Sequence, residues 1–479
     1  MNNTKVYKNV IWNLGLQFIT LALPLIIIPY VSRVLGPTGV GINAFTSSTA
    51  QYFVLLANLG ISIYGSKEVA VHRSNKKELS VVFWQIFFIK FIASIISILI
   101  FSIIIFQSTK YRSYYIVQYL MIMAVLVDIT WFFQGIEQFR KTVLRNVFTR
   151  LLVAALTFLF VKDVHGTYLY VLFTALSNFI ANIALWFGIK NYISFNFDHI
   201  FDVKKLWKMF KESLSLFIPQ VAAQIYLPLN KSLLGLMLGI TSAGYFDNCD
   251  KIVKVVVGLI TSIGTVLLPH ISHFKAEGKD DKIIISLINI LYIILYAGCF
   301  LTAIIIALAP PFSLWFFGNK FKEVGLLMQM EAPVIFFIAI SNAIGYQYLI
   351  PTNSVGVYSR SVTFGALLNI IIDLPLILIL HVQGAIIATV ISEAFVVVIQ
   401  ILVVRNILPI GSILKELCKY IVCAIVLIIT AHLCTYLRLG VGFSYLIVTG
   451  LLSTCSYLIV TLLLRPSGLF KGISYLRTL

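Results

Sequence analysis

Charged residues are scarce in this sequence of 479 residues. They make up 11% of the chain, whereas globular proteins carry about 25%. Acidic residues are the rarer kind, with 18 Asp and Glu against 36 Lys and Arg. Hydrophobic residues make up 60%, and the mean hydropathy is +0.98. This composition excludes a soluble globular domain and indicates an integral membrane protein.

Catalytic and metal-binding motifs are also missing from the sequence. It contains no Gly-rich nucleotide loop followed by Lys and Ser or Thr, no HExxH and no Gly-x-Ser-x-Gly. The six cysteines lack metal-ligand spacing and are predicted to be small apolar residues of helices. His270 and His273 stand beside a basic loop that offers no clear ligand cluster. No catalytic residue, metal or cofactor is therefore predicted.

Long apolar runs occur throughout the chain. A helix needs about 20 residues to cross a bilayer, and about fourteen runs approach that length. They lie near 10–31, 40–64, 81–106, 114–134, 147–161, 167–189, 213–238, 246–268, 283–309, 323–349, 361–380, 384–405, 417–436 and 441–464. The sequence thus predicts an all-α integral membrane protein with about fourteen transmembrane helices.

The formal charge of +18 comes from basic residues that are unevenly distributed between the loops of this predicted topology. With a cytoplasmic amino terminus, most basic residues fall in inner loops, as the positive-inside rule requires. The outer segments hold only Arg33, Lys110, Arg112, Lys162, Lys320, Lys322 and Arg438. Both termini are therefore predicted to be cytoplasmic, and no nucleic-acid partner is needed. The basic run 204–211, in the longest loop, predicts an amphipathic connector on anionic lipid.

A sequence pattern occurs twice in the chain. Gly36 and Gly41, with Leu before the first, are matched 203 positions later by Gly239 and Gly244. Six helices per half put both halves the same way up, as parallel repeats. The predicted organisation is a six-helix lobe at 1–200, a second at 201–411, and an appended helical hairpin with a cytoplasmic tail at 412–479.

Polar side chains occupy the first helices of each half. Asn43 and Gln51 are eight residues apart and so share a helix face, and Gln220, Gln224 and Lys231 share a face of the seventh predicted helix. A polar face within hydrocarbon is tolerated against a protein interior or a wet cavity. We expect these five residues to line a substrate cavity.

Charged residues open the eighth predicted helix. Asp247–Lys251 and Asp250–Lys254 are i, i+4 pairs with the acid first, the favourable order on a helix. A charge near the bilayer centre costs about 2.5–3.5 kcal/mol. Mutual neutralisation and contact with cargo both explain these pairs. Arg33, at a helix end, fits either the cavity or an anchor in the outer head groups.

Three further acids, Asp128, Asp373 and Glu393, lie in predicted spans. Intramembrane carboxylates carry ions in many transporters, so these three are candidates for ion coupling. Contacts between helices explain them equally well. Lys90, in the third predicted span, is expected to be an interior counter-ion.

Prolines occupy similar depths in the first and seventh predicted helices. Pro24 and Pro29 lie in the first, and Pro219 and Pro228 in the seventh. Because proline removes a backbone donor and clashes with the preceding turn, it kinks or breaks helices. We therefore expect both helices to be interrupted.

Several stretches resemble the bacterial polysaccharide repeat-unit flippases of the multidrug/oligosaccharidyl-lipid/polysaccharide exporter superfamily. They are IPYVSRVLG at 28–36, YGSKE at 64–68, VDITWFFQGIEQF at 127–139 and GAIIATVISE at 384–393. The resemblance covers essentially the whole chain. It implies outward translocation of an undecaprenyl-diphosphate-linked oligosaccharide by alternating access, for capsule, O-antigen or exopolysaccharide synthesis.

The resemblance also implies a location and partners. The expected protein is a monomer in the bacterial cytoplasmic membrane, next to membrane lipid and to polysaccharide polymerase and glycosyltransferases. Arg33, Lys231, Lys251 and Lys254 would attract the diphosphate or acidic sugars. Asn43, Gln51, Gln220 and Gln224 would bind hydroxyl groups, with Asp250 beside the lysines.

Two other functions stay open. A cation-coupled drug exporter of the same superfamily would use Asp128 or Asp373 for its cation. A membrane polysaccharide polymerase or glycosyltransferase is the alternative of another class. Such enzymes usually carry a sizeable loop with clustered acids or arginines, which this sequence lacks.

Overall fold

The computed structural model describes residues 3–108, 110–194, 201–437 and 442–478. Side chains are described from residue 23 onward, with short gaps, the longest at 262–270. The described residues are almost entirely helical and include no β-strand.

Eighteen α-helices are described. The first nine are α1 (Asn3–Asn58), α2 (Ile61–His72), α3 (Lys76–Gln107), α4 (Arg112–Leu126), α5 (Thr130–Gly135), α6 (Phe139–Phe160), α7 (Thr167–Ala184), α8 (Val203–Gln224) and α9 (Tyr226–Met237). The others are α10 (Ile240–Ala276), α11 (Asp280–Phe317), α12 (Lys322–Glu331), α13 (Pro333–Ser341), α14 (Val355–Leu380), α15 (Val382–Val404), α16 (Ile410–Cys434), α17 (Phe443–Leu464) and α18 (Ser467–Thr478). A π-helix, Asn342–Leu349, follows α13.

Ten helical stretches of the described chain are long and apolar enough to cross a membrane. An eleventh is formed if the bent pair Asn319–Glu331 and Pro333–Leu349 is one span. The all-α membrane fold is thus confirmed, whereas the count of about fourteen is not. One reason is that the first two predicted helices form a single described stretch, Leu23–His72.

The chain divides into two compact units, Met1–Gly244 and Tyr245–Leu479. In the first unit, α1 packs against α3, α4, α6 and α9, and α8 packs against α2 and α3. In the second, α11 packs against α12, α13, α16, α17 and α18, while α14 and α15 form a close pair. The boundaries at 200 and 411 are inferred from the repeat in the sequence, and they stay predictions.

The helix breaks are local consequences of particular residues. Within α1 only Gly36 has non-helical backbone angles, with φ at 68°, so the helix turns there and runs through Pro24 and Pro29. The expected interruption at those two prolines is therefore wrong. The seventh predicted helix does break, at Ile225 between α8 and α9, three residues before Pro228.

The carboxyl-terminal part of the second unit is a packed structure. Gly468 of α18 lies against the ring of Tyr292 on α11, where an added Cβ would approach ring carbons to 2.6 Å. One turn further on, Gly472 lies against the backbone of Asn289. Tyr475 and Ser286 share a hydrogen bond. The predicted tail is thus largely a helix that lies along α11.

Candidate functional site: polar clusters inside the helical units

Lys90 of α3 has a charged side chain that is completely buried in the first unit. Its Nζ donates to the carbonyl oxygen of Asp128 over 2.7 Å and to the carboxylate Oδ2 of Asp128 over 3.3 Å. Asp128 lies between the end of α4 and the start of α5. Because carbonyls at a helix end lose their helical partner, this lysine both satisfies a carbonyl and neutralises a carboxylate.

Arg145 of α6 reaches the same carboxylate from another direction. Its Nη1 lies 3.7 Å from Oδ1 of Asp128 and donates to Thr130 over 2.8 Å and to Asn182 over 2.7 Å. Thr130 in turn donates its backbone N–H to Oδ1 of Asp128 over 2.9 Å. The cluster of Lys90, Asp128, Thr130, Arg145 and Asn182 ties together α3, the α4–α5 break, α6 and α7. It is called the Asp128 cluster below.

The Asp128 cluster borders a polar cavity of about 370 Å³. Ser62, Gln134 and Asn178 also line it. Lys90 and Arg145 bring two positive charges to the single carboxylate of Asp128. Lys90 thus makes the counter-ion contact expected of it, and Asp128, a candidate for ion coupling, is paired with both cations.

Thr130, Arg145 and Asn182 are the members that the sequence does not single out. By its position Arg145 is one of the basic residues predicted to lie in an inner loop, and Asn182 stands in a largely apolar run. The available signal was the intramembrane Asp128, which needs a cation within reach. Its partners are distant in sequence, however, and the sequence alone does not place α6 and α7 beside it.

Hydroxyl groups join α1 to α9 in the first unit. The Oγ atoms of Ser48 and Ser232 lie 2.9 Å apart, and Tyr52 donates to Ser232 over 3.2 Å. Asn43 and Gln51 of α1 are half-buried, as is Lys231, the neighbour of Ser232. Three of the expected cavity residues therefore flank one polar helix contact.

The remaining expected residues of this unit are more open or lie apart. Arg33 is exposed near the Gly36 turn, and Gln224 is exposed at the end of α8. Gln220 is half-buried one turn earlier on α8. Gln220 and Gln224 lie on α8 and Lys231 on α9, so the shared face expected for these three residues stays a prediction.

The predicted acid–base pairs of α10 are present in the second unit. Nζ of Lys254 lies 2.8 Å from Oδ1 of Asp250, and Lys251 is ion-paired with Asp247. Both acids are buried, with 4% of each side chain exposed, whereas the lysines are 35% and 40% exposed. In each pair the lysine is thus partly exposed, whereas the carboxylate is buried. Next to them, the Cys249 thiol donates to Glu331 over 2.8 Å.

Asp373 and Glu393, the other candidates for ion coupling, lie on the paired helices α14 and α15. Asp373 is completely buried, together with Asn369 one turn before it. Glu393 is half-buried.

The described part of the chain contains no group of three or more His, Cys, Asp or Glu able to hold a metal ion. The side chains of His270 and His273 lie outside the described residues. The six cysteines are free, and four of them, Cys249, Cys299, Cys423 and Cys434, are buried.

Apolar spanning helices with paired charges inside them define a multi-pass membrane protein with polar interior sites. A family model described as polysaccharide biosynthesis protein matches residues 6–275, more than half of the sequence. The chain belongs to that family, which confirms the family resemblance seen in the sequence motifs.

Two similar sequences cover 85% and 80% of the chain. A protein of Escherichia coli (strain K12) named "Putative O-antigen transporter" is 22% identical over 416 residues, 85% of this chain and 98% of that protein. A protein of the same name from Shigella dysenteriae is 22% identical over 385 residues, 80% of this chain and 96% of that protein.

Solved structures show the same fold. The lipid II flippase MurJ in an inward closed conformation has a TM-score of 0.74 at 16% identity, over 95% of this chain and 99% of that one. An inward-facing multidrug resistance MATE family transporter of the MOP superfamily has a TM-score of 0.62 at 12% identity, over 82% and 96%. At these identities the likeness is one of fold alone.

Proposed function

We propose that this chain is a flippase for lipid-linked oligosaccharides. It moves undecaprenyl-diphosphate-linked repeat units from the inner to the outer leaflet of the bacterial cytoplasmic membrane by alternating access. The product serves capsule, O-antigen or exopolysaccharide synthesis. One observation carries the proposal: the sequence aligns along 98% of a relative named for O-antigen transport.

The α10 pairs suit a cargo that joins a diphosphate to sugars. Lys251 and Lys254 expose their ammonium groups while their acid partners stay buried. A diphosphate oxygen that contacts either lysine gains a charge-assisted hydrogen bond. When cargo leaves, Asp247 and Asp250 keep the lysines paired, so no isolated charge remains in a low-dielectric site. We assign Arg33 and Lys231 the same role toward phosphate or acidic sugars.

Asn43, Gln51, Gln220 and Gln224 are proposed to bind sugar hydroxyls. An amide side chain both donates and accepts hydrogen bonds, which matches a hydroxyl group. Amides also remain neutral, so they add recognition without further buried charge.

Ion coupling is assigned to Asp128, Asp373 or Glu393, the three carboxylates in predicted spans. If Asp128 gave up its charge, Lys90 and Arg145 would lose their carboxylate partner until the charge returned. The proposed driving force is the membrane potential, because the cargo is an anion leaving a negative interior.

The proposed setting follows from this activity. The protein is a monomer with both termini in the cytoplasm, and it acts without a cofactor and without catalysing a reaction. Glycosyltransferases supply its cargo, and a polymerase consumes it.

Depletion of the protein in its own host tests the proposal. The lipid-linked repeat unit should accumulate at full length, identified by mass spectrometry, and should stay inaccessible to a sugar-binding probe outside spheroplasts. A full-length unit that accumulates in the outer leaflet would indicate a polymerase, and an incomplete unit would indicate a glycosyltransferase. Unchanged polysaccharide with increased drug sensitivity would indicate a drug exporter.

A further inference from the structure

An apolar groove of about 480 Å³ runs between three helical segments of the first unit. Leu59, which directly follows α1, lines one side of the groove. Its other walls are formed by α3, with Phe88, Ile92 and Ile96, and by α8, with Leu206 and Trp207. Every residue that lines it is apolar. A cleft of this kind matches a hydrocarbon chain and offers nothing to a sugar or an ion.

The helix that forms one wall of the groove is strongly basic on its other surface. Lys204, Lys205, Lys208 and Lys211 are all exposed along α8. Lys211 lies over the ring of Trp207, with its Nζ 5.4 Å from the ring centre. Hydrocarbon-facing and cationic side chains thus alternate along one helix, which is the pattern of a helix at the membrane interface.

Trp207 connects the two surfaces. It lines the groove, yet 57% of its surface is exposed, and its neighbours in sequence, Leu206 and Lys208, point to opposite environments. Tryptophan favours the head-group level of a bilayer because it has an apolar body and a polar N–H. The groove and the lysines therefore meet at the depth where acyl chains join their phosphates.

We propose that this groove binds an acyl chain of an anionic phospholipid, whose phosphate contacts the lysines of α8. The basic loop predicts that this end of the unit faces the cytoplasm, so the lipid belongs to the inner leaflet. The four lysines lie within eight residues, about 10 Å of helix. A row of that length matches a surface of several singly charged head groups better than a single diphosphate.

The bound lipid fixes α8 at the interface. Among the described side chains of this helix Met209 and Ser213 are buried, and Ser213 donates to the carbonyl of Leu59. Leu206 and Phe210 are partly buried against the protein core, whereas Val203 and Trp207, which also line the groove, are largely exposed. The lipid chain covers these exposed side chains. This site does not depend on the proposed flippase activity.

Native mass spectrometry of the purified chain tests the site directly. Phosphatidylglycerol and phosphatidylcholine with identical acyl chains are titrated separately, and the number bound and the dissociation constants are compared. The wild-type chain should retain phosphatidylglycerol about tenfold more tightly, because each lysine near an anionic head group adds attraction. Equal retention of the two lipids would overturn the proposal.

Two pairs of variants distinguish the contribution of the lysines to lipid binding from that of the groove. Lys204→Gln with Lys208→Gln should remove most of the preference for phosphatidylglycerol, whereas Lys320→Gln with Lys322→Gln, which removes the same charge elsewhere, should not. Ile96→Trp fills the groove and should weaken both lipids. Ile103→Trp, on an exposed site of the same helix outside the groove, is its matched control.

A third titration identifies the occupant. Undecaprenyl phosphate should compete poorly with phosphatidylglycerol. If it displaces phosphatidylglycerol and loses affinity in the Ile96→Trp variant, the groove belongs to the carrier lipid and the phospholipid assignment is wrong. All these readouts are binding measurements, so they stand or fall independently of transport.

Discussion

Lys90 places its ammonium nitrogen 2.7 Å from the carbonyl oxygen of Asp128, at the point where α4 has ended and α5 has not yet begun. The lysine is completely buried, so its contacts are made without competition from water. A helix break within a membrane leaves backbone groups that water cannot satisfy, and here a cation satisfies one of them.

Replacing Lys90 should therefore destabilise the first unit. Lys90→Met leaves the carbonyl and part of the carboxylate of Asp128 without their partner, at a cost of about 3–5 kcal/mol in the free energy of unfolding. Thermal unfolding in detergent measures the loss. Lys110→Met is the control, since Lys110 is exposed. Adding Asp128→Asn to Lys90→Met should increase the loss, because Arg145 then loses its carboxylate partner as well, and no further loss would contradict the charge-pair explanation.

Gly41 tests the close packing at the end of the Gly36 turn. A Cβ on Gly41 would lie 1.9 Å from the carbonyl oxygen of Ile240, so α1 and the start of α10 must separate to accept it. Gly41→Ala should destabilise the protein by about 1–3 kcal/mol, as overpacking does. Circular dichroism during heating measures the change.

Gly356→Ala is the matched control for that variant. The atom nearest to an added Cβ there is Nη2 of Arg360 at 4.0 Å, and the site lies within α14. Alanine should be neutral or slightly stabilising at this position, because it lowers the entropy of the unfolded chain. Equal effects of the two substitutions would show that the contact with Ile240 is unimportant.

Lys254 tests the proposed contact with cargo. Lys254→Gln should reduce transport at low cargo concentration about tenfold, since a hydrogen bond to a charged group contributes about 1.5–3 kcal/mol. The substitution also leaves Asp250 buried without its lysine, so folding has to be measured in parallel. Export of a labelled lipid-linked oligosaccharide from inverted vesicles is the readout.

The double variant Asp250→Asn with Lys254→Gln distinguishes cargo binding from folding. It removes both charges of the pair, so its thermal stability should exceed that of Lys254→Gln alone. Transport should stay low, because the cation is still missing. If transport returns together with stability, the lysine serves the fold and does not contact cargo.

The driving force is tested with the membrane potential. A diphosphate diester carries about two negative charges, and each gains about 2.3 kcal/mol on leaving an interior at −100 mV, so export is favoured by about 4–5 kcal/mol. Transport into vesicles clamped at zero potential should be slow even with a pH gradient. A rate that persists there and collapses when the pH gradient is dissipated would indicate proton antiport through Asp128, Asp373 or Glu393.

The sequence predicts helices, and ion pairs within a helix, where the spacing of nearby residues determines them. The Asp247–Lys251 and Asp250–Lys254 pairs follow from a separation of four residues on one helix. The turn at Gly36 is likewise local, because a positive φ suits glycine. Membrane spans follow from apolar length in the same way.

The structure differed from prediction where distant segments decide the outcome. The run 127–129 contains neither glycine nor proline, yet the chain leaves the helix there, where Lys90 and Trp186 bond to carbonyls that the break exposes. Arg145 reaches Asp128 only because α6 packs beside α5. Conversely, α1 absorbs Pro24 and Pro29 without breaking, although proline is a strong local signal.

The turns at Gly36 and Gly239 bear on the predicted repeat. Both glycines have positive φ, 68° and 95°, at matching places in the sequences GPTGVG and GITSAG. The residues that immediately follow them differ, with proline after Gly36 and isoleucine after Gly239. What the two places have in common is therefore a backbone conformation that favours glycine, whichever side chain comes next.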